Sequence, residues 1–305
     1  MTRFLLQRLL HGVIVLWVVA TLTFVLMRVT PGGPFDRERR LPPEVLANIA
    51  AKYHLDEPWL TQYARYLKGI VAGDLGPSYK YLDRSVTDVI ADTLPTSALL
   101  GILALALALL LSFPVGVSAA FYQNSWVDRC SMFLATLGIS SPHFILAGLF
   151  IWFFSLYLGW FQAGRWDSMS SVVLPTLTLA AAPAAYLSYL IRSNLLETLG
   201  EEFIRTARAK GLRETSVVFK HALSNSLIPV LTVLGPLSAA LVTGSFVVEY
   251  VFAIPGMGRF FITAVTDRDY PLIMGVTLVY TVILVCANLA VDLLYSLIDP
   301  RIKIP

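Results

Sequence analysis

The chain has 305 residues, of which 56% are hydrophobic and only 14% are charged, and its formal net charge is +3. Ordinary soluble domains carry about 25% charged residues, so a soluble domain of this composition would lack the polar surface needed to cover its helices. The charges are also confined to short stretches between long uncharged runs. This pattern excludes an ordinary soluble enzyme and indicates a polytopic membrane protein.

Six apolar runs are long enough to cross a bilayer, whose hydrocarbon core of about 30 Å is spanned by about 20 helical residues. We therefore predict an all-α membrane protein with six transmembrane helices, over residues 9–29, 94–122, 126–158, 172–191, 227–249 and 271–296. No small-residue cleavage pattern follows the first run, so we expect an uncleaved anchor rather than a signal peptide.

The positive residues indicate the orientation of these spans. With the N-terminus in the cytoplasm, six crossings return the C-terminus to the same side. The inside segments then carry Arg3, Arg8, Arg129, Arg192, Arg205, Arg208, Lys210, Arg213, Lys220, Arg301 and Lys303. The short outside loops carry only Arg165, Arg259 and Arg268. This asymmetry follows the positive-inside rule and predicts that both termini are cytoplasmic.

A hydrophilic segment, residues 30–92, follows the first span. Within it, residues 42–50 have an amphipathic pattern that starts with Pro and Glu, as helices often do. A second helix is predicted over residues 59–70, and the side chains on its shared face are Tyr63, Tyr66, Leu67 and Ile70. We therefore expect a small helical extracytoplasmic element at this point of the chain.

These elements predict three parts of the chain. Residues 1–93 contain the first transmembrane helix and the extracytoplasmic segment. Residues 94–296 contain a membrane core of five helices, with an inside loop at 194–226. Residues 297–305 form a cytoplasmic tail.

The inside loop has the charge order of two short helices. Residues 201–212 read Glu-Glu-Phe-Ile-Arg-Thr-Ala-Arg-Ala-Lys-Gly-Leu, so acids precede bases, as the helix dipole favours. Gly211 can take the left-handed position that often ends a helix. A second helix is predicted over 213–223. Because helices this short are marginal alone in water, the pair needs a surface to dock on, either lipid headgroups or a cytoplasmic protein.

At this loop the sequence resembles the inner-membrane permeases of binding-protein-dependent ABC importers. That family carries a Glu-Ala-Ala motif followed, after three residues, by Gly; aligned on Gly211, residues 205–207 supply Arg-Thr-Ala instead. The arginine, and Leu-Ser at 223–224 where the family has Leu-Pro, are departures that resemble the peptide and nickel branch. Further motifs similar to the B-type subunits of oligopeptide permeases occur in order at residues 41–44, 52–55, 73–78, 243–249, 254–258 and 288–300.

The resemblance implies a type I ABC importer permease of MetI-like fold in the cytoplasmic membrane that translocates oligopeptides, with dipeptides or nickel as alternatives. It implies a second permease of the C type, two ABC ATPase subunits and an extracytoplasmic peptide-binding protein as partners, with no nucleic acid. The sequence contains no Gly-Lys dipeptide and hence no P-loop. We therefore expect no cofactor, catalytic residue or metal in this chain, and ATP and Mg in the ATPases.

Two groups of site residues are predicted. The resemblance assigns coupling to the ATPases to Glu202, Phe203, Arg205, Thr206, Ala207, Arg208, Ala209, Lys210, Gly211, Leu212 and His221. A path for varied peptides needs small and polar groups, and the candidates are Thr96, Ser140, Ser141, Thr176, Thr178, Ser188 and Ser238. Each of these hydroxyl groups could instead serve helix packing.

Ionisable residues within spans are functional candidates by default. Glu249 lies near the outer end of span five, and Asp292 lies in span six, where it could snorkel or pair with Asn288. Cys130 and Cys286 have neither CxxC spacing nor neighbouring histidines, so we interpret them as packing residues. His11 and His143 are interpreted as packing or interface residues.

Two other functions are weighed. An intramembrane serine protease would use Ser140 of the Gly-Ile-Ser-Ser string at 138–141, but such a nucleophile needs a base within hydrogen-bond reach, and only His143 is near in sequence. A self-sufficient secondary transporter usually places charges or broken helices at the membrane midplane. The central spans here lack charges, and the basic loop would have no role.

Overall fold

The computed structural model describes residues 2–30, 53–81 and 83–298, with side chains described from residue 6 to residue 293. The predicted helix at 42–50 and most of the tail at 297–305 lie outside these ranges. Within them the regular elements are helices, apart from one isolated bridge between Pro77 and Ser85.

The helices follow one another along the whole described chain. In order they are α1 (Thr2–Val29), α2 (Trp59–Ala72), α3 (Val86–Phe121), α4 (Trp126–Ser140), α5 (His143–Phe150), α6 (Met169–Leu199), α7 (Glu202–Ala209), α8 (Glu214–Ser216), α9 (Leu223–Ser226), α10 (Ile228–Val242), α11 (Phe246–Val251), α12 (Met257–Asp267) and α13 (Tyr270–Ile298). Two π-helical turns, Ile151–Tyr157 and Val217–Ala222, continue α5 and join α8 to α9.

Five segments of the described chain are long and apolar enough to cross a membrane. They are Leu6–Val29, Val86–Phe121, Met169–Leu199, Ile228–Val251 and Tyr270–Leu293. The bent pair formed by α4 and the helix from His143 to Tyr157 provides a sixth crossing if it counts as one span. Spans one, two, four, five and six of the prediction are therefore found where the sequence placed them.

Span three is not the continuous helix that we predicted over 126–158. It breaks after Ser140, and the two parts differ in direction by 109°. Ser141 has extended backbone angles (φ −84°, ψ 119°), and Pro142 precedes the next helix. The proline ring disfavours helical angles at the preceding residue, and here that preference coincides with the end of the helix.

Span five, predicted as one helix over 227–249, is also interrupted. Helix α10 ends at Val242, and Gly244 has a φ of +95° before α11 begins at Phe246. A side chain at this φ would be strained, and glycine adopts it readily. The outer part of span five is therefore a separate short helix.

Two other spans extend beyond their predicted limits. Span two starts at Val86 rather than near 94, because Ser85 and Asp88 form a capping box that begins the helix outside the apolar run. Span four continues to Leu199 rather than ending near 191. Helix α6 thus reaches out of the apolar region towards the predicted coupling loop.

The bundle has two distinct ends. We call the end that holds residues 200–226 the basic end; the turn at 122–125 and the ion pair between Arg8 and Asp292 lie there too. The opposite end holds α2, residues 74–85 and α12. Since spans alternate in direction, the start of α1 and the end of α13 both lie at the basic end.

The hydrophilic segment is fastened to the opposite end at two places. Helix α2 confirms the prediction for 59–70, and its Tyr63 hydroxyl lies 2.6 Å from the Thr21 hydroxyl of α1. Further along, the fully buried Asp269 accepts hydrogen bonds from the Ser78 hydroxyl and from the Tyr79 amide, the latter at 3.1 Å. The described part of this segment, residues 53–81 and 83–92, is therefore part of the fold.

Small residues allow the central helices to approach closely. At Gly101 of α3, an added Cβ would lie 2.2 Å from the carbonyl oxygen of Leu241 in α10. At Gly116 of α3, it would lie 2.8 Å from the carbonyl oxygen of Ser188 in α6. In lipid, where apolar side chains gain little by leaving the solvent, such close backbone packing drives helix association.

Candidate functional site

Helix α7 at the basic end is bounded by two backbone turns. Glu201 has the extended angles of an N-terminal cap, and Glu202 begins the helix. At the other end Gly211 has a φ of +75°, and its amide donates a 2.9 Å hydrogen bond to the Arg208 carbonyl. The predicted short helix and its left-handed terminal glycine are thus confirmed.

One face of α7 is packed onto the bundle. Ile204 is fully buried and Ala207 is almost so, in a cluster with Leu195 of α6, Val218 of the π-helical turn and Leu223 of α9. This cluster provides the docking surface that such a short helix requires. Ala207, which we assigned to the contact with a partner, therefore faces the protein's own bundle.

The other face of α7 is open. The exposed residues of the predicted coupling set are Glu202, Phe203, Arg205, Thr206, Arg208, Ala209, Lys210, Gly211 and Leu212. Large apolar side chains stand among these charges: Phe203, Leu212 and Phe219 are 44%, 41% and 55% exposed. We call Phe203, Arg205, Lys210, Leu212 and Phe219 the coupling surface. Exposed apolar groups rimmed by polar ones are typical of a protein-binding face.

An ion pair joins the two short helical stretches. Arg208 contacts Glu214 through two of its three guanidinium nitrogens, Nε at 3.1 Å and Nη2 at 2.6 Å. The hydrogen bonds from Arg208 lower the pKa of Glu214 below its ordinary value, so this carboxylate stays ionised at neutral pH. His221, the last residue of the predicted set, is half-buried, and its carbonyl accepts a hydrogen bond from the Asn225 amide.

A second two-point ion pair lies just behind the coupling surface. Arg192 of α6 donates to Asp128 of α4 from Nε at 2.5 Å and from Nη2 at 2.7 Å. Asp128 also accepts from the Asn124 amide, and its side chain is 5% exposed. This pair was not predicted from the sequence, although Ser125 followed three residues later by Asp is a recognisable helix-start signal.

The hydroxyl residues considered for a peptide path differ in their hydrogen bonding. Those that donate a hydrogen bond of 2.7–2.8 Å to a carbonyl of their own helix are Thr176, Thr178, Ser188 and Ser238. Thr178 and Ser188 are also buried. Their surroundings favour the packing role.

The remaining path candidates lie elsewhere. Ser140 and Ser141 flank the break in span three, where Ser140 is exposed, and Thr96 is half-buried in α3. Among the hydrogen bonds of the described chain, none joins Ser140 or Ser141 to His143.

The two membrane acids have partners that were not predicted from the sequence. Asp292 pairs with Arg8 of α1 at 3.0 Å, rather than with Asn288 or by snorkelling. Glu249 is fully buried and accepts a 2.7 Å hydrogen bond from the hydroxyl of Ser97, the neighbour of the path candidate Thr96. Both partners are distant in sequence, so no local pattern indicated them.

The cysteines differ from their interpretation as packing residues. Cys130 and Cys286 are both unbonded and exposed on the isolated chain. They lie in α4 and α13. Their exposure is that of apolar side chains meeting lipid or another subunit rather than of a packed core.

A bundle of apolar helices with a helix pair exposed at one end has the architecture of a polytopic membrane protein. The sequence matches two family models, Binding-protein-dependent transport system inner membrane component over residues 112–304 and the N-terminal component of the same system over 1–101. The chain belongs to this family of inner-membrane transport components.

Relatives match over nearly the full length. The Dipeptide transport system permease protein DppB of Bacillus subtilis is 47% identical over 100% of this chain and 99% of its own length. The Oligopeptide transport system permease protein OppB of Haemophilus influenzae is 43% identical over 99% of this chain and 100% of its own. An inward-facing MetNI methionine ABC transporter matches with a TM-score of 0.58 and 19% identity, over 69% of this chain and 96% of that one. The MetI-like permease fold is therefore confirmed.

Proposed function

We propose that this chain is the B-type permease subunit of an ATP-driven importer of peptides. The proposal rests mainly on the coupling surface, an exposed apolar and basic face held rigidly at the end of span four. The names of the full-length relatives support peptides as the cargo, and they include both dipeptide and oligopeptide systems. We propose oligopeptides as the main substrate, following the motifs at 41–44 and 73–78.

The energy comes from other subunits. The sequence lacks the Gly-Lys of a P-loop, so ATP and Mg are used by two partner ATPases. A second permease of the C type completes the membrane pore, and an extracytoplasmic binding protein delivers the peptide. The basic end faces the cytoplasm, where positive loops are retained, so both termini are cytoplasmic.

The packing indicates how a movement would pass from the ATPases to the spans. The buried face of α7 contacts Leu195 of span four and Leu223, which leads into span five. Arg208 and Glu214 tie α7 to the second helical stretch. A displacement of the coupling surface would therefore move the ends of both spans together, as a rigid body that switches between two states.

The direct test is transport by the complex. We expect this chain, co-expressed with its neighbouring subunits and reconstituted in vesicles, to accumulate peptides only when ATP is supplied. A length series of alanine peptides separates dipeptide from oligopeptide transport, and vesicles without ATP are the control.

A cysteine in place of Arg205 should crosslink to an ATPase subunit; accumulation without ATP, or modification of this cysteine from outside, would refute the proposal.

Gly211→Val should uncouple transport. An added Cβ would meet nothing within 4 Å, so the substitution acts on the backbone, where a φ of +75° costs a non-glycine residue about 1–2 kcal/mol. We expect roughly tenfold slower uptake per ATP hydrolysed with normal membrane insertion. Gly211→Asn is the matched control, because asparagine tolerates the left-handed region. Equal uptake by all three proteins would disprove the role of this helix end.

A further inference from the structure

Glu249 lies in α11, and its side chain is completely buried at the end of the bundle opposite the coupling surface. One carboxylate oxygen accepts from the Ser97 hydroxyl at 2.7 Å, and the other accepts from the Arg259 amide at 3.0 Å. The Ser97 oxygen in turn accepts from the Met257 amide at 2.8 Å. A single carboxylate thus connects α11, α3 and the start of α12.

The contacts of this carboxylate are those of a helix cap. Met257 and Arg259 are the first and third residues of α12. The first amides of a helix have no partner within the helix, and the helix dipole favours a negative charge at this end. Glu249 and Ser97 together satisfy both amides from outside α12. Both oxygens of the buried carboxyl group are therefore hydrogen-bonded, and they tie the first turn of α12 to α11 and α3.

Three glycines make room for this arrangement. A Cβ on Gly244 would lie 2.3 Å from one Glu249 oxygen, and one on Gly256 would lie 2.4 Å from the other. A Cβ on Gly258 would lie 3.1 Å from the carboxylate. The glycines of the motifs at 243–249 and 254–258 are thus explained by the space that the Glu249 side chain occupies.

Helix α12 also forms one wall of a cavity of about 300 Å³ between spans five and six. Met257 and Phe261 line it from α12, and Thr243 and Thr277 line it from the two spans. A shift of α12 would change access to this space. The position of α12 is set at its first turn, where Glu249 and Ser97 hold it.

We propose that Glu249, with Ser97, is a positioning residue that holds α12 in place as one wall of the partly open cavity between spans five and six during transport. The role of Glu249 in transport rests on the proposed function, but the position of α12 can be measured whether or not the chain transports peptides. Breaking the cap should free α12, open the cavity further and let ATP hydrolysis proceed without the matching uptake of peptide.

The first test uses a cysteine reporter in the cavity wall. Thr277→Cys is introduced into the full chain after Cys130 and Cys286 are changed to Ala, and its rate of reaction with N-ethylmaleimide is measured in nanodiscs. We expect Glu249→Gln to raise this rate roughly tenfold, the shift expected from losing a charge-assisted hydrogen bond. Ser97→Ala should raise it less. Glu197→Gln, which changes an exposed acid of α6, is the control and should leave it unchanged.

The outcomes are distinct. Equal reaction rates in the parent, Glu249→Gln and Ser97→Ala would overturn the positioning role, and if Glu249→Gln fails to fold, Ser97→Ala decides alone. A faster reaction of the introduced cysteine in these variants supports the positioning role of Glu249 even if no partner ATPase is ever found, because the cysteine reporter needs neither ATP nor peptide. In the assembled importer, a faster reaction with unchanged uptake per ATP would refute the part of the proposal that concerns transport.

Discussion

Gly101→Ala should lower the free energy of unfolding by about 3 kcal/mol or more, the upper range for overpacking a tight interior. The new methyl group would lie 2.2 Å from the Leu241 carbonyl oxygen and 2.6 Å from the Val242 Cα. Both are backbone atoms, so no side-chain rotation can relieve the contact. Spans two and five would have to separate where they cross. Thermal unfolding in nanodiscs, followed by tryptophan fluorescence, measures the effect.

Gly148→Ala is the matched control for this experiment. Gly148 is also a helical glycine, in α5, but an added Cβ there would meet nothing within 4 Å. Alanine favours a helix over glycine by about 1 kcal/mol, so this variant should be unchanged or slightly more stable. Similar unfolding temperatures for the two variants would show that the close crossing at Gly101 does not exist.

Arg192→Met should destabilise the chain by about 3–5 kcal/mol, since it leaves a buried carboxylate without its counter-ion. Asp128 is 5% exposed and receives two hydrogen bonds from Arg192. The pair holds span three to span four immediately before α7. Loss of the Arg192 cation should therefore also weaken the attachment of α6, which carries the coupling surface, to α4.

The exposed ion pair between Arg208 and Glu214 is the comparison for the buried pair between Arg192 and Asp128. Arg208 and Glu214 are 42% and 48% exposed, so Arg208→Met should cost no more than about 1 kcal/mol. The double variant Asp128→Asn with Arg192→Met should recover part of the loss, because it removes the stranded charge. Equal losses at the buried and exposed arginines, in the same unfolding assay, would contradict this assignment.

The spans could be predicted from the sequence because the bilayer imposes one requirement on every crossing helix. Its backbone polar groups must be satisfied within the helix and its side chains must be apolar, and both demands are local. Helix α7 was predictable for a similar reason, since its acids, bases and Gly211 all lie within one short stretch. These are the features that a chain specifies over ten to twenty neighbouring residues.

The breaks in the spans could not be predicted, because prolines do not by themselves interrupt these helices. Pro142 separates α4 from α5, whereas Pro95 and Pro114 lie inside α3 and Pro183 lies inside α6. Packing against neighbouring helices decides which of them ends a helix. The sequence around each proline does not contain that information.

The partners of the membrane acids could not be predicted either. Arg8 and Asp292 are separated by 284 positions, and Ser97 and Glu249 by 152. Such pairs depend on how the whole bundle closes. The role of the path candidates could not be predicted for the same reason. A hydroxyl group that bonds to its own helix, such as Thr178, has the same local sequence context as one that lines a channel.

The peripheral position of α1 has a consequence for the order in which the chain is built. Its apolar window is only 17% buried, and its extensive helix contact within the described chain is with α13, the last span. The ribosome therefore delivers α1 to the membrane long before its main neighbour exists. Helix α1 must therefore enter the lipid before α13 is made, and the Arg8–Asp292 pair can form only after α13 has been synthesised.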